Sequence, residues 1–296
     1  MGSESLFALE TPIQHITSYC WRQISNQFQQ YPSTLASTHS NYHGNIFVTG
    51  ASRGLGLGFC TALAANGSKE VSKVFAAART ETDALKQLIS KSAGLVELVL
   101  VDVTCEESVK KAAAQVEQSL SGRGLDVFIN NAGIMPHTPG GIAAMTDIES
   151  VFKVNVVGVQ LITSSPLPLL KKGNLKKILN ISSGSGSIGL APTFERFGQR
   201  SPAYQISKAA LNRLTAQYAA EYANEGFVVL AVSPGWVNTD MGGESADITI
   251  ETSINAVLRI LYTKRKEDTG KFFNIHVPGW ENAAGLNQYN GEELPW

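Results

Sequence analysis

Tyr204 and Lys208 stand four residues apart in Ser-Pro-Ala-Tyr-Gln-Ile-Ser-Lys-Ala-Ala-Leu-Asn, residues 201–212. On a helix, residues i and i+4 share a face, so the phenol and the ammonium can converge on one point. A buried cation there favours the phenolate and lowers the phenol's reference pKa of about 10 toward the range of a working proton donor. Far upstream, Gly50-Ala-Ser52-Arg53-Gly54-Leu55-Gly56 follows the apolar run Ile46-Phe-Val-Thr49 and opens a helical stretch. Glycine lets a backbone turn tightly and approach a pyrophosphate, while a helix N-terminus offers free N–H groups and a partial positive charge. The spacing is G-x-x-x-G-x-G, and Phe59 stands where the generic G-x-G-x-x-G would need its third glycine. A proton donor downstream of a dinucleotide turn points to hydride-transfer chemistry.

These residues need elements to hold them. From Asn45 onward apolar runs alternate with amphipathic stretches. Residues 46–48, 74–78, 95–101, 127–129, 177–181 and 227–232 read as buried parallel strands, because β-branched runs bounded by turn residues suit a strand covered on both faces. Helices are predicted over 55–65, 81–90, 106–120, 146–170, 203–224 and 249–262. The alternation predicts an α/β fold, a Rossmann-type doubly wound parallel sheet with its ligand beyond the carboxyl ends of the strands. A single domain is expected over 45–296. Residues 1–44 are rich in Ser, Thr, Gln, Asn and His and read as a poorly ordered arm, with helical spacing only at Ile13, Ile16, Cys20 and Ile24.

The second predicted strand ends Ala76-Ala-Ala-Arg79-Thr80, with no carboxylate where an NAD-selective site meets the ribose 2′-hydroxyl. Arg79 there and Arg53 in the glycine turn offer guanidinium forks to a 2′-phosphate, so NADP(H) is the expected cofactor.

With 296 residues, 43% of them hydrophobic and 17% charged, the chain can bury one large core. A net charge of −1 supplies no electrostatic reason to bind nucleic acid or anionic lipid. Cys20, Cys60 and Cys105 are widely separated and form no zinc or disulfide pattern, so no metal is expected and a reducing compartment fits. Neither a secretory signal, a myristoylation pattern nor a run of roughly 18 apolar residues is seen, and a cytoplasmic location without membrane attachment is the expectation.

Taken in chain order, Thr49-Gly-Ala-Ser-Arg-Gly-Leu-Gly56, Asn130-Asn-Ala-Gly133, Asn155, Ser183, Tyr204-Gln-Ile-Ser-Lys208 and Pro234-Gly235 resemble the motifs of a classical short-chain dehydrogenase/reductase. The segments Ser183-Gly-Ser-Gly-Ser-Ile, Pro-Gly-Trp236-Val-Asn-Thr-Asp-Met-Gly-Gly243 and Gly291-Glu-Glu-Leu-Pro-Trp296 resemble its C-factor-like carbonyl reductase subgroup. The resemblance implies that Tyr204 donates a proton, Ser183 orients the substrate oxygen, Lys208 binds the nicotinamide ribose, and Asn155 holds a water at a helix kink. It implies that Asp102 and Val103 meet the adenine, that Asn131, Ala132 and Gly133 line the cofactor, and that Pro234, Gly235, Val237 and Thr239 hold the carboxamide side of the nicotinamide. Two of these have plainer readings: Asp102 as a helix-start cap and Asn155 as a satisfied core amide.

The implied activity is NADPH-dependent reduction of a ketone or aldehyde. A cofactor-binding signalling or scaffold protein of the C-factor kind, and NAD-dependent alcohol oxidation, are the alternatives. A homodimer or homotetramer is implied by the family, with monomer left open. Tyr204 lies 21 positions after Ser183, a longer interval than the family's, so residues 190–201 read as an insertion over the site mouth. The substrate pocket is expected from Met135, Pro136, residues 185–201, Trp236 and residues 241–246, with His137 more often solvated than bound.

Overall fold

The computed structural model describes residues 44–65, 71–196 and 201–296. The helical spacing between Ile13 and Ile24 and most of the expected arm lie outside the described residues, as do residues 197–200 of the insertion. The strands are β1 (Gly44–Thr49), β2 (Val71–Ala78), β3 (Val96–Leu100), β4 (Val127–Asn130), β5 (Lys177–Ile181), β6 (Val228–Ser233) and β7 (Phe272–Asn274). The helices that cover them are α1 (Gly54–Ala65), α2 (Asp83–Lys91), α3 (Glu106–Leu120), α4 (Ile148–Phe152), α5 (Gly158–Ser164), α6 (Leu167–Lys172), α7 (Ala191–Arg196), α8 (Pro202–Tyr222) and α9 (Ile250–Thr263).

The sheet is parallel throughout, in the order β3-β2-β1-β4-β5-β6-β7. Every residue of β1, β4, β5, β6 and β7 is buried, which is why those segments read as unbroken apolar runs rather than alternating ones. Ile46 and Val48 face one core with Phe59 and Leu63 of α1 and Val257 and Leu261 of α9. Phe47 turns to the other, with Val109 and Val116 of α3 and Ile162 of α5. There its ring stacks on Phe128 at 4.7 Å. The strand order reverses between β1 and β4, and a doubly wound sheet opens its ligand crevice at such a point.

Three parts of the fold differ from the sequence reading. The unbroken helix predicted over 146–170 is α4, a π turn at Lys153–Val157, and α5, with α6 following Pro166. A π turn leaves no mark in apolar periodicity, and Pro166 lacks the N–H that would continue the helix. The seventh strand, β7, was not predicted: three residues carry too short a pattern to read. It is held by later residues, since Leu294 N–H donates to Phe272 O at 2.7 Å and Asn274 N–H to Glu292 O at 2.9 Å. Residues 289–294 thus run back antiparallel along β7 and the chain that follows it. Finally, part of the insertion forms helix α7. No helix among the described residues is long and apolar enough to cross a membrane.

Candidate active site

The glycine turn is built on sterics. Gly50 and Gly54 have φ of +71° and +54°, in the left-handed region that penalises a side chain. A Cβ on Gly56 would collide with the Gly50 carbonyl and reach 2.7 Å from Asn131 Nδ2. Asn131 in turn clamps the turn to β4: its Nδ2 donates to Thr49 O at 2.9 Å, and Thr49 Oγ1 accepts the N–H groups of Asn131 and Ala132, both at 2.9 Å. Ser52 is tied down through its carbonyl, which accepts from Thr82 Oγ1 at 2.8 Å. Helix α1 begins here with no acidic residue in its first turn, so its free N–H groups and positive end stay available to an anion. A cradle that side chains would fill, at an uncompensated helix start that Leu55 helps to line, fits a pyrophosphate.

At the rim, Arg79 is exposed. Arg53 Nη1 lies 3.2 Å from Asp240 Oδ2, both side chains about three-quarters exposed, a pair that solvent keeps weak. Asp102 is not the helix-start cap of its plainer reading, since Cys105 holds that position without a side-chain bond; its Oδ1 accepts from Thr104 N at 2.9 Å and Thr104 Oγ1 at 2.7 Å. Those bonds hold its carboxyl below the usual range against a smaller desolvation effect, with Arg79 and Lys153 adding to the lowering. Val103 is buried, and a Cβ on Gly158 would meet its Cγ2 at 2.9 Å, so α5 approaches there through glycine.

Asn155 sits in the π turn, fully buried. Its Oδ1 accepts from Ile134 N at 2.9 Å, and its Nδ2 donates to Ile134 O at 2.9 Å and Ser207 Oγ at 3.0 Å. Ser207 Oγ passes on to Tyr204 O at 2.7 Å. The side chain is thus a satisfied core amide that ties the segment after β4 to α8, and Gly133 allows it, since a Cβ there would come within 3.2 Å of Asn155 Oδ1.

Ser182 and Ser183 part company. Ser182 Oγ donates to buried Asn212 at 2.5 Å. Ser183 Oγ instead pairs with Ser185 Oγ at 2.9 Å and hydrogen-bonds the Tyr204 phenol. The turn Gly184–Gly186 can press on α8 only because residue 186 is glycine, where a Cβ would lie 2.5 Å from Lys208 Cβ. Lys208 Nζ donates to Ile181 O at 2.7 Å and stands 5.5 Å from the centre of the Tyr204 ring.

The electrostatics differ from the sequence expectation. Burial pushes the Tyr204 phenol up to about 12, with the Ser183 bond a lesser pull downward. The same burial brings Lys208 down to about 8. Desolvation penalises both charged forms, so burial works against the phenolate that the neighbouring lysine was expected to favour.

On the far side of the cleft, Gly235 has φ +83°, and a Cβ there would come within 2.8 Å of Ile248 Cδ1. Pro234 O accepts from Ser253 Oγ at 2.7 Å. Val237 bridges Ile248, and Thr239 Oγ1 donates to Val237 O at 3.2 Å while accepting Gly242 N at 3.0 Å.

The predicted catalytic and cofactor residues, from Gly50 to Thr239, border one cleft of about 1690 Å³, apart from Asn155 and Gly56, which brace it from behind. Its substrate side includes Met135, Pro136, Phe194, Trp236 and Met241 as expected, and also His137, but not residues 185–189 or 243–246. In their place stand Asp247, Trp280, residues 284–290 and 292–295. Sequence reasoning missed these as site residues: Asp247 falls just past the quoted 234–243 segment, residues 280–290 carry no motif, and 292–295 lie in a segment read only for its family resemblance. Thr49 and Ser207 were also passed over as site residues, although both lie inside quoted motifs. Among the described residues no group of three or more His, Cys, Asp or Glu side chains could hold a metal ion.

Comparison with known proteins identifies the family and the fold. The family described as short chain dehydrogenase matches residues 44–248. Short-chain dehydrogenase anuI of Penicillium roqueforti is 31% identical over 220 residues, 72% of this chain and 86% of that protein. The C-signal protein of Myxococcus xanthus is 32% identical over 173 residues, 58% of this chain and 93% of its own. Among solved structures, an NADPH-bound carbonyl reductase from chicken fatty liver superposes with a TM-score of 0.75 at 32% identity, covering 86% of this chain and all of that one.

Proposed function

This chain belongs to the short-chain dehydrogenase family, and from that premise we propose that it reduces a ketone or aldehyde to an alcohol with NADPH. The observation that carries the reading is the convergence of Ser183, Tyr204 and Lys208 on one cleft whose other end is the glycine cradle. Bound there, NADPH would supply a hydride to the carbonyl carbon.

The chain's own residues do the rest. Gly50, Ser52, Gly54 and Leu55 take the pyrophosphate, with Gly56 bracing the turn behind them, and Arg53 and Arg79 read the 2′-phosphate. Arg53 leaves its exposed pairing with Asp240 at little cost. Asp102 keeps Oδ2 for the adenine amine beside Val103, since Thr104 occupies Oδ1. Asn131, Ala132 and Gly133 line the middle of the site; Pro234, Gly235, Val237 and Thr239 bound the carboxamide.

Ser183 hydrogen-bonds the substrate oxygen and orients it toward Tyr204. A phenol near 12 stays protonated at neutral pH and is a competent donor once the oxygen begins to carry charge. Lys208, near 8, is an amine able to hold or pass a proton within about a unit of neutrality, which suits it to reprotonating Tyr204 through water at the Asn155 turn. The titratable pair and the serine also favour an enzyme over a cofactor-binding scaffold.

The test is turnover of NADPH and NADH side by side against aromatic, aliphatic and quinone carbonyls, with wild type and Tyr204→Phe. The expected result is NADPH-selective reduction that falls at least about a hundredfold in the variant, with NADPH binding retained. Turnover retained by Tyr204→Phe overturns the assignment.

A further inference from the structure

Tyr289 lies in the segment that pairs along β7, 53 residues beyond Trp236, and is 3% exposed. Its hydroxyl accepts from Trp236 N at 2.9 Å and donates to Asp247 Oδ2 at 2.6 Å. The same carboxylate oxygen accepts Asn287 Nδ2 at 2.6 Å. Donation to a carboxylate strengthens a hydroxyl as an acceptor, so the two bonds reinforce each other. The ring is fixed as well: it packs on Trp280 at 5.4 Å, and a Cβ on Gly235 would meet its Cε1 at 3.2 Å. Its main chain is pinned on both sides, Tyr289 N donating to Trp280 O and Val277 N to Tyr289 O, each at 3.0 Å.

We propose that Tyr289 is a positioning residue that sets the turn of residues 234–239 and, through it, the nicotinamide end of the cofactor site. This rests on the cofactor reading above. The turn needs such a device because Gly235 leaves its backbone free to swing in the left-handed region. Its other bonds run to Ser253 and Ile248 and to residues 242–244 of the loop that follows it. Among the described residues only the phenol reaches the Trp236 main-chain N–H, and it ties that group to Asp247 and to residues that also wall the substrate side of the cleft. Changing the tail would therefore change how the nicotinamide is held, without touching the adenosine end.

Calorimetry with two probes tests this: NADPH, and 2′,5′-ADP, which carries the adenosine and the phosphate but no nicotinamide. Tyr289→Phe keeps the ring packing and removes the link. The expected result is a loss of NADPH affinity of about tenfold with 2′,5′-ADP affinity within about twofold of wild type. Equal losses for both probes, or no loss for either, overturn the proposal. Should Tyr289→Phe fail to fold, Asp247→Asn, which weakens the acceptor, is read on the same two probes by the same criterion. A wild type that binds neither probe overturns the cofactor reading itself, and this assignment with it.

Discussion

Replacing Thr49 by valine deletes one oxygen and should loosen the whole cofactor loop. Thr49 is 1% exposed, and its Oγ1 accepts two main-chain N–H groups at 2.9 Å, from Asn131 and Ala132. Valine has nearly the same shape but offers neither N–H an acceptor. Each buried N–H left without a partner costs about 1–3 kcal/mol, so a loss of about 3 kcal/mol is expected after partial relaxation. In a domain of this size that corresponds to a Tm lower by about 6–12 °C. Thr49→Ser is the control: it keeps the oxygen and loses one methyl, about 1 kcal/mol. Because Asn131 also braces Gly50 and Gly56, Thr49→Val should weaken NADPH binding as well, while Thr49→Ser should not. Thermal melts by circular dichroism and calorimetric titration read both effects. If the valine variant melts within about 2 °C of the serine variant, the two bonds are not what holds the loop.

Gly56→Ala forces a Cβ against the Gly50 carbonyl and Asn131, so it should lose about 1–3 kcal/mol in urea unfolding and most of its NADPH affinity. Arg79→Ala should raise the KM for NADPH about tenfold and leave that for NADH unchanged, since only the 2′-phosphate loses a guanidinium; an unchanged ratio would remove Arg79 from the specificity reading. Burial, with Arg265 adding to it, brings Lys177 down to about 8, as burial does for Lys208, against 10.5 for an ordinary lysine. The folded chain therefore binds fewer protons than the unfolded one between pH 8 and 10.5, and stability should rise with pH across that window. Tyr204 and Tyr218, pushed by burial to about 12 from 10, bind more protons when folded and reverse the slope above pH 10. Urea unfolding at stepped pH should show the maximum near pH 10, and Lys208→Met should flatten the rise below it.

Much of the site was legible in the sequence because its chemistry is local. Tyr204 and Lys208 lie one helical turn apart on α8, so spacing alone brings them together. The glycines betray a backbone that side chains would block, and the absence of an acid after β2 is read directly from Ala78-Arg79-Thr80. The choice of Ser183 over Ser182 was legible only through family resemblance; the physical reason, that Asn212 engages the other hydroxyl, lies 30 residues away. Asn155 shows the opposite case: its type and position were noted, but its partners, Ile134 and Ser207, come from a strand end and a different helix.

By itself the sequence determined the layering of the fold, since unbroken apolar runs must be covered on both faces, and the two ends of the chemistry, the cradle and the proton donor. Tertiary structure alone decided how the site is charged and walled. Burial, a property of everything packed around Tyr204 and Lys208, pushed the phenol up and the ammonium down, where spacing alone had the cation holding the phenol low. The unexpected part of the substrate wall and the Tyr289 link come largely from residues after β7, of which 280–290 have neither period nor motif. Their role arises from a return along the sheet edge, a contact of high sequence separation that no local pattern encodes.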